Sequence, residues 1–199
     1  MRIITGSARG ARLKAPKGMQ TRPTSDRIKE SLFSILGDFV RGKRVLDLFA
    51  GTGSLGLEAL SRGAEQAVFI DRATAGILRE NAEHTKLLER SEIFRGDVFS
   101  VLPRLESAGR QFQLIFCDPP YHAGLWERAL SAVDRSELLA PDGLLILEHG
   151  GDEALPEGGL HQLVCVREVR YGPTSAVHIF QRKAEGGACH EESRMLREF

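Results

Sequence analysis

The chain reads as an α/β fold with a central, largely parallel sheet, and three observations carry that reading. From residue 43 onward short apolar runs alternate with amphipathic ones, the pattern of strand, helix, strand, helix that a parallel sheet requires. The first such strand runs directly into Gly51-Thr52-Gly53-Ser54-Leu55-Gly56, a G-x-G-x-x-G turn placed between a strand and a helix. Two further extended runs at the end are separated only by Tyr171-Gly172-Pro173-Thr174, a spacing that permits nothing but an antiparallel hairpin.

Taken in order, residues 2–5 and 11–14 predict two short strands joined by the glycine-flanked turn that carries Arg9, a basic hairpin. Thr21 to Asp26 supplies helix-capping residues, and Ile28, Leu32, Phe33, Ile35 and Leu36 follow at helical spacing up to Gly37. Strands are expected at 44–49, 67–71, 92–95, 112–118 and 144–148, with helices at about 54–62, 74–88, 98–107 and 124–135. The closing hairpin pairs 162–169 with 176–181. Beyond Lys183 no period is visible, so the division expected is a basic arm at 1–20, one catalytic domain at 21–183, and a disordered tail at 184–199.

Formal charge is zero, 27 basic residues against 27 acidic, but its distribution is uneven. Residues 1–44 hold eleven Lys and Arg against three acids, which suits a polyanion-binding arm. Cys117, Cys165 and Cys189 are widely spaced and form no metal-ligand pattern, so reduced thiols, an intracellular compartment and no metal are expected. No run approaches a membrane span of about 20 apolar residues, and no apolar signal core opens the chain; a cytoplasmic protein is expected.

The chemistry concentrates at strand ends. Glycines in the 51–56 turn let backbone approach a ligand, and the helix behind it favours an anionic group. Alone this turn fits a nicotinamide cofactor or S-adenosylmethionine equally. Asp71, twenty residues after Gly51, can take a pair of ribose hydroxyls in either case. Asp47, at the end of the strand before the turn, would sit badly beside a pyrophosphate but well beside an ammonium and a sulfonium. Asp97 ends the third strand, where it can accept from an adenine amine. Each acid could also be a helix cap, but three of them at three successive strand ends favour a ligand.

Asp118-Pro119-Pro120-Tyr121 ends the apolar run 112–117. Two prolines remove two backbone donors and leave a carboxylate and a rigid carbonyl beside an aromatic face. Those parts suit a planar amine with two N–H donors, stacked on Tyr121. His122, His149 and Trp126 near this loop read as packed or solvated residues.

On these residues the chain resembles the class I S-adenosylmethionine-dependent methyltransferases. Asp47 to Gly56 looks like their cofactor loop, and Asp118-Pro119-Pro120-Tyr121 looks like the signature of those that methylate exocyclic amines of nucleobases. With Thr21 to Arg27, Lys29-Glu30 and Glu148-His149 added, it is similar to the bacterial 16S ribosomal RNA guanine-N2 methyltransferases that act on guanine 966. The likeness covers residues 1–183, with Asp71 standing where that family often has Glu.

The resemblance implies a Rossmann-like fold: a seven-stranded, mostly parallel sheet with an antiparallel C-terminal hairpin, helices on both faces, and a small N-terminal hairpin. It implies S-adenosylmethionine as cofactor, held by Asp47, Ala50, Gly51, Thr52, Gly53, Asp71, Arg72, Asp97 and Val98. Catalysis would fall to Asp118, Pro119, Pro120 and Tyr121, and contact with RNA to Arg9, Arg12, Lys14, Arg22 and Thr24. The partner implied is 16S ribosomal RNA within an assembling or assembled small subunit, met by a monomeric enzyme with no membrane involvement. A DNA adenine-N6 methyltransferase is the nearest alternative, since adenine offers the same kind of amine. A NAD-dependent oxidoreductase, or an RNA-binding protein without activity, explains fewer of these residues.

Overall fold

A computed structural model of the chain describes residues 1–16, 23–120, 124–153, 155 and 159–183. Its elements are α1 (Pro23–Leu36), β1 (Arg44–Asp47), α2 (Ser54–Ser61), β2 (Gln66–Asp71), α3 (Ala75–His84), β3 (Ser91–Arg95), α4 (Val98–Ser107), β4 (Phe112–Cys117), α5 (Leu125–Asp134), β5 (Leu139–Gly150), β6 (Leu163–Arg170) and β7 (Ser175–Arg182). The chain divides into two compact units, Met1–Val101 and Leu102–Phe199. Seven strands are present: in the first unit they hydrogen-bond in the order β3-β2-β1, all parallel, and in the second in the order β4-β5-β7-β6, with β4 and β5 parallel and β7 antiparallel to both β5 and β6. This is the mixed α/β sheet with a C-terminal hairpin that the alternation predicts.

In the first unit β1 and β2 pair in parallel with Leu46 opposite Val68, and β2 pairs with β3 with Phe69 opposite Ile93. Val45, Leu46, Val68, Phe69 and Ile70 are all buried, the near-continuous apolar run expected of a strand covered on both faces. α1 presents Ile28, Leu32, Phe33 and Leu36 to the core, one stripe of a 3.6-residue period.

The predicted N-terminal hairpin is present in short form: Arg2 and Arg12 form an antiparallel bridge, and the N–H groups of Ile3, Gly10 and Leu13 donate to the carbonyls of Ala11, Ile3 and Met1 at 2.9, 2.9 and 3.1 Å. Side chains from elsewhere in the unit, together with the Ser61 carbonyl that accepts the Ser7 N–H at 2.9 Å, hold this hairpin in place. Ile3 and Leu13 are buried, and the peptide N–H groups of Ile4 and Thr5 donate to the two oxygens of Glu58 at 2.7 and 3.1 Å. Glu58, wholly buried in α2, also receives Arg62 Nε at 2.8 Å and has Lys29 Nζ at 3.8 Å. Lys29 is buried too, donating to the Arg2 carbonyl at 2.6 Å and to Ser54 Oγ at 3.1 Å. Burial lowers the pKa of that ammonium, and the neighbouring Glu58 opposes the change.

In the second unit β5 is longer than the predicted 144–148. Pro141-Asp142-Gly143 reads as a turn, yet the strand absorbs it: Phe112 pairs with Leu139, the register then shifts, and Leu114 resumes opposite Leu144. Asp134 at the end of α5 is buried, and its carboxylate accepts from the N–H groups of His161, Gln162 and Leu163 at 2.7 to 2.9 Å. α3 stops at His84, short of the predicted 88, where Thr85 caps it and Lys86 turns left-handed at φ 59°. Neither Cys117 nor Cys165 forms a disulfide; Cys189 and the rest of the predicted tail lie outside the described residues. Among the described residues no helix is long and apolar enough to cross a membrane.

Candidate functional site

In the first unit the strand ends β1, β2 and β3 carry Asp47, Asp71 and Asp97, as the spacing predicts. All three carboxylates accept peptide N–H groups at the turns that follow. Asp47 Oδ2 takes Gly56 N–H at 2.9 Å. Asp71 Oδ1 takes the N–H of Ala73 and Thr74 and the Thr74 hydroxyl, while its Oδ2 takes Gly51 N–H at 3.0 Å. Asp97 Oδ1 takes Phe99 N–H at 3.0 Å, a cap on α4. Capping and ligand binding were alternatives in the sequence, yet a carboxylate offers about four acceptor positions and can serve both.

Their surroundings differ. Asp97 is exposed and Asp71 half-buried, so both remain reachable from solvent. Asp47 is 2% exposed, and burial pushes its pKa up to about 7, with the Asp71 charge adding and the Gly56 N–H opposing. The carboxylate expected beside the ammonium and sulfonium is therefore enclosed against the first turn of α2.

The three glycines divide by role. A Cβ on Gly56 would stand 2.2 Å from Phe69 Cε1, and one on Gly53 would meet Leu57 and Leu78 at 3.0 to 3.1 Å, so both are required by packing. Gly51 instead faces open space, with only the Phe49 carbonyl, two residues earlier, at 3.9 Å, and adopts φ 57°. Its missing side chain leaves room that a ligand can fill. Phe49, just before it, is also left-handed at φ 54°, rare for a bulky residue and characteristic of functional turns. Its ring meets Phe99 edge-on at 6.4 Å, an aromatic pair at the strand ends that the strand-and-glycine pattern passed over.

The loop is braced from below. The Thr74 hydroxyl shares its single hydrogen between Asp71 Oδ1 and the Gly51 carbonyl, Ala50 N–H donates to the Ile70 carbonyl at 3.0 Å, and Gly53 N–H to the Ala50 carbonyl at 2.7 Å. Asn81 of α3 is wholly buried and donates to the Thr52 carbonyl at 2.9 Å. It went unremarked in the sequence, although its place beside Leu78 and Ala82 on the apolar stripe of α3 marks it as an inward polar residue. Arg72 is exposed and Val98 buried at the loop's flanks.

Of the residues expected to meet nucleic acid, Arg9, Arg12 and Lys14 are exposed on the N-terminal segment. Lys14 Nζ pairs with Glu80 at 2.8 Å, which raises its pKa. Arg22 and the Thr24 side chain lie outside the described residues.

In the second unit β4 ends at buried Cys117, opposite Leu147 of β5, and the chain continues with exposed Asp118, buried Pro119 and exposed Pro120. Half-buried Glu148 follows Leu147, the last residue of β5 paired with β4. Tyr121 and His122 lie outside the described residues. α5 then begins after Gly124 at φ 62°. Its Trp126 is buried and stacks on His149 at 4.8 Å, which stacks on His178 at 4.9 Å. His149 Nδ1 donates to the Gly150 carbonyl at 2.8 Å, and its Nε2 is hydrogen-bonded to His178 Nδ1 at 3.0 Å. Burial, reinforced by His149, lowers the pKa of His178, while Glu168 at 3.6 Å opposes it. Trp126 and His149 thus form part of the packing behind the loop.

Comparison with known proteins identifies the family. A family model described as "Conserved hypothetical protein 95" matches residues 1–181. The chain is 39% identical over 185 residues to "Putative rRNA methyltransferase YlbH" of Bacillus subtilis, covering 92% of this chain and all of that one. It is 33% identical to "Ribosomal RNA small subunit methyltransferase D" of Escherichia coli, covering 94% of this chain and 92% of the relative. A solved structure, "Putative methyltransferase yhhF from Escherichia coli", superposes with a TM-score of 0.78 at 32% identity, over 93% of this chain and 99% of that one. With the glycine turn, the strand-end acids and the Asp-Pro-Pro-Tyr run all within the matched residues, the chain belongs to the family of conserved hypothetical protein 95 and of ribosomal RNA small subunit methyltransferase D.

Proposed function

We propose that this chain is an S-adenosylmethionine-dependent methyltransferase that modifies the exocyclic N2 amine of a guanine in small-subunit (16S) ribosomal RNA. The observation that carries the reading is the Asp118-Pro119-Pro120-Tyr121 run at the open end of β4, in a chain whose relatives are named for methylating small-subunit ribosomal RNA.

The donor set of the first unit fits the cofactor. Gly51 leaves space where a side chain would stand, half-buried Asp71 has acceptor capacity for ribose hydroxyls, and exposed Asp97 for an adenine amine. When bound, S-adenosylmethionine supplies an electrophilic methyl group on a sulfonium, which departs as a neutral thioether. Asp47, sealed on the Gly56 N–H, acts by fixing the start of α2.

The nucleophile needs more help. A guanine N2 lone pair is delocalised into the ring, and Asp118 with the Pro119 carbonyl would accept its two N–H hydrogens, making the nitrogen more pyramidal and aiming the lone pair outward. Hydrogen bonds to a charged group contribute about 1.5–3 kcal/mol each, whereas alignment of two reactants can remove roughly 7–11 kcal/mol from a barrier. Orientation therefore dominates. As the nitrogen–carbon bond forms, a proton is lost from the amine, which Asp118 would accept or which would pass to water. Tyr121 would stack on a base turned out of its neighbours' stack. Arg9 and Arg12, with Arg22 and Thr24, would follow RNA phosphates.

The test is transfer of labelled methyl from S-adenosylmethionine to small ribosomal subunits that lack this modification, followed by nucleoside analysis. Label in N2-methylguanosine is expected. Label in N6-methyladenine, or none despite cofactor binding, overturns the substrate.

A further inference from the structure

One buried amide joins the N-terminal segment to the cofactor loop. Asn81 Nδ2 carries two hydrogens and donates one to the Lys14 carbonyl at 3.0 Å and one to the Thr52 carbonyl at 2.9 Å, while its Oδ1 accepts the Lys14 N–H at 2.8 Å. Two carbonyls and one N–H fix the orientation of the amide uniquely, because only the nitrogen can donate. Asn81 is wholly buried, so none of these bonds is exchanged for water without opening the packing around α3. A second tie runs parallel to it: Lys29 Nζ bonds the Arg2 carbonyl and Ser54 Oγ, the first residue of α2 after the glycine turn. The segment that carries Arg9 and Arg12 is thereby fastened at both ends to side chains that also hold the loop.

We propose that Asn81 is a positioning residue that makes RNA binding and cofactor binding cooperative. The inference rests on the reading of the basic segment as the RNA contact. RNA that fixes the Lys14 peptide fixes the Asn81 amide, and with it the Thr52 peptide of the loop; a cofactor that orders the loop acts back along the same bonds. Coupling of this kind is reciprocal by thermodynamic necessity. It lets the enzyme hold its methyl donor most tightly when the acceptor is present.

The experiment measures the dissociation constant of labelled S-adenosylhomocysteine by equilibrium dialysis, with and without unmethylated small ribosomal subunits, in four proteins. The wild type is expected to bind the cofactor product on the order of 5- to 150-fold more tightly with subunits present, the usual span of such coupling. Lys14→Pro removes the N–H that Asn81 receives, and Asn81→Asp removes both donated hydrogens; each brings the ratio toward one. Lys14→Ala loses the same charge as Lys14→Pro but keeps the N–H; whatever that charge contributes to subunit affinity is lost equally in both, so at saturating subunits Lys14→Ala keeps the coupling ratio that Lys14→Pro loses. Should Asn81→Asp fail to fold, the two Lys14 variants decide alone, since that side chain is exposed. A ratio of one in the wild type with subunits bound, or an undiminished ratio in Lys14→Pro, overturns the coupling and leaves the RNA reading intact. Absence of any subunit binding by the wild type, seen directly in the binding curve, overturns both.

Discussion

The carboxylate of Asp47 and the peptide N–H of Gly56 form a buried hydrogen bond of 2.9 Å that ties the end of β1 to the first turn of α2. Gly56 has no room for a side chain there, because Phe69 occupies the space a Cβ would need. Acid, glycine and aromatic ring form one packed unit beneath the loop.

A pH dependence follows. The folded-state pKa of Asp47 is raised to about 7 from an ordinary 3.8, so between those values the native protein keeps a proton that the unfolded chain has released. Stability from this group is complete below about pH 3.8 and is lost as pH rises to about 7. Asp47→Asn lacks the slope. In paired thermal melts from pH 4 to 8, the variant should gain on the wild type up to about pH 7 and then run parallel to it. His178, whose lowered pKa acts in the opposite sense, cancels in the difference. Parallel curves throughout would show Asp47 ionised at every pH.

Glycine substitutions should separate packing from binding. Gly56→Ala forces a methyl onto Phe69 and should cost about 1–3 kcal/mol of stability in urea titrations. Gly51→Ala meets nothing in the protein and should cost only the left-handed backbone penalty of about 1 kcal/mol. Its loss should appear instead in calorimetric affinity for S-adenosylmethionine, and an unchanged affinity would place the cofactor elsewhere.

Glu58→Gln should be the most destabilising of these changes. It leaves Lys29 and Arg62 without their buried counter-charge, and breaking a buried pair costs about 3–5 kcal/mol. Hydrogen exchange at Ile4 and Thr5, whose N–H groups rest on that carboxylate, should accelerate with the loss. Equal exchange in variant and wild type would mean the segment is held by its apolar contacts alone.

Asp118→Ala should leave the fold within about 0.5 kcal/mol of wild type, as an exposed side chain normally does. Turnover should fall about 10²- to 10³-fold, the usual effect of removing one oriented polar group from a reacting centre, with cofactor affinity unchanged. Parallel loss of turnover and affinity would make Asp118 structural.

The alternation of strands and helices was readable because buried parallel strands such as Phe112–Cys117 are nearly all apolar. The strand-end acids and the glycine turn were readable for the same reason: their positions follow from where apolar runs stop. What escaped notice was polar and inward. Glu58 sits between Leu57 and Ala59 as the only charged residue of α2, and Asn81 lies on the apolar stripe of α3. Sequence periodicity treats such residues as exceptions, whereas their partners are main-chain groups of a segment more than fifty residues away. The twelve-residue length of β5 was hidden by Pro141 and Gly143, since a bulge and a turn draw on the same residues.

The N-terminal segment is fastened through its peptide groups: the N–H of Ile4, Thr5 and Lys14, and the carbonyls of Arg2 and Lys14. Every residue type presents that carbonyl, and all but proline present that N–H. The side chains of Arg2, Arg9 and Arg12, all exposed, are therefore free to change while Ile3 and Leu13 keep the segment seated. Such an attachment separates the grip from the reading surface, so that a lineage can rewrite which nucleic-acid contour the segment meets without rebuilding the platform beneath it.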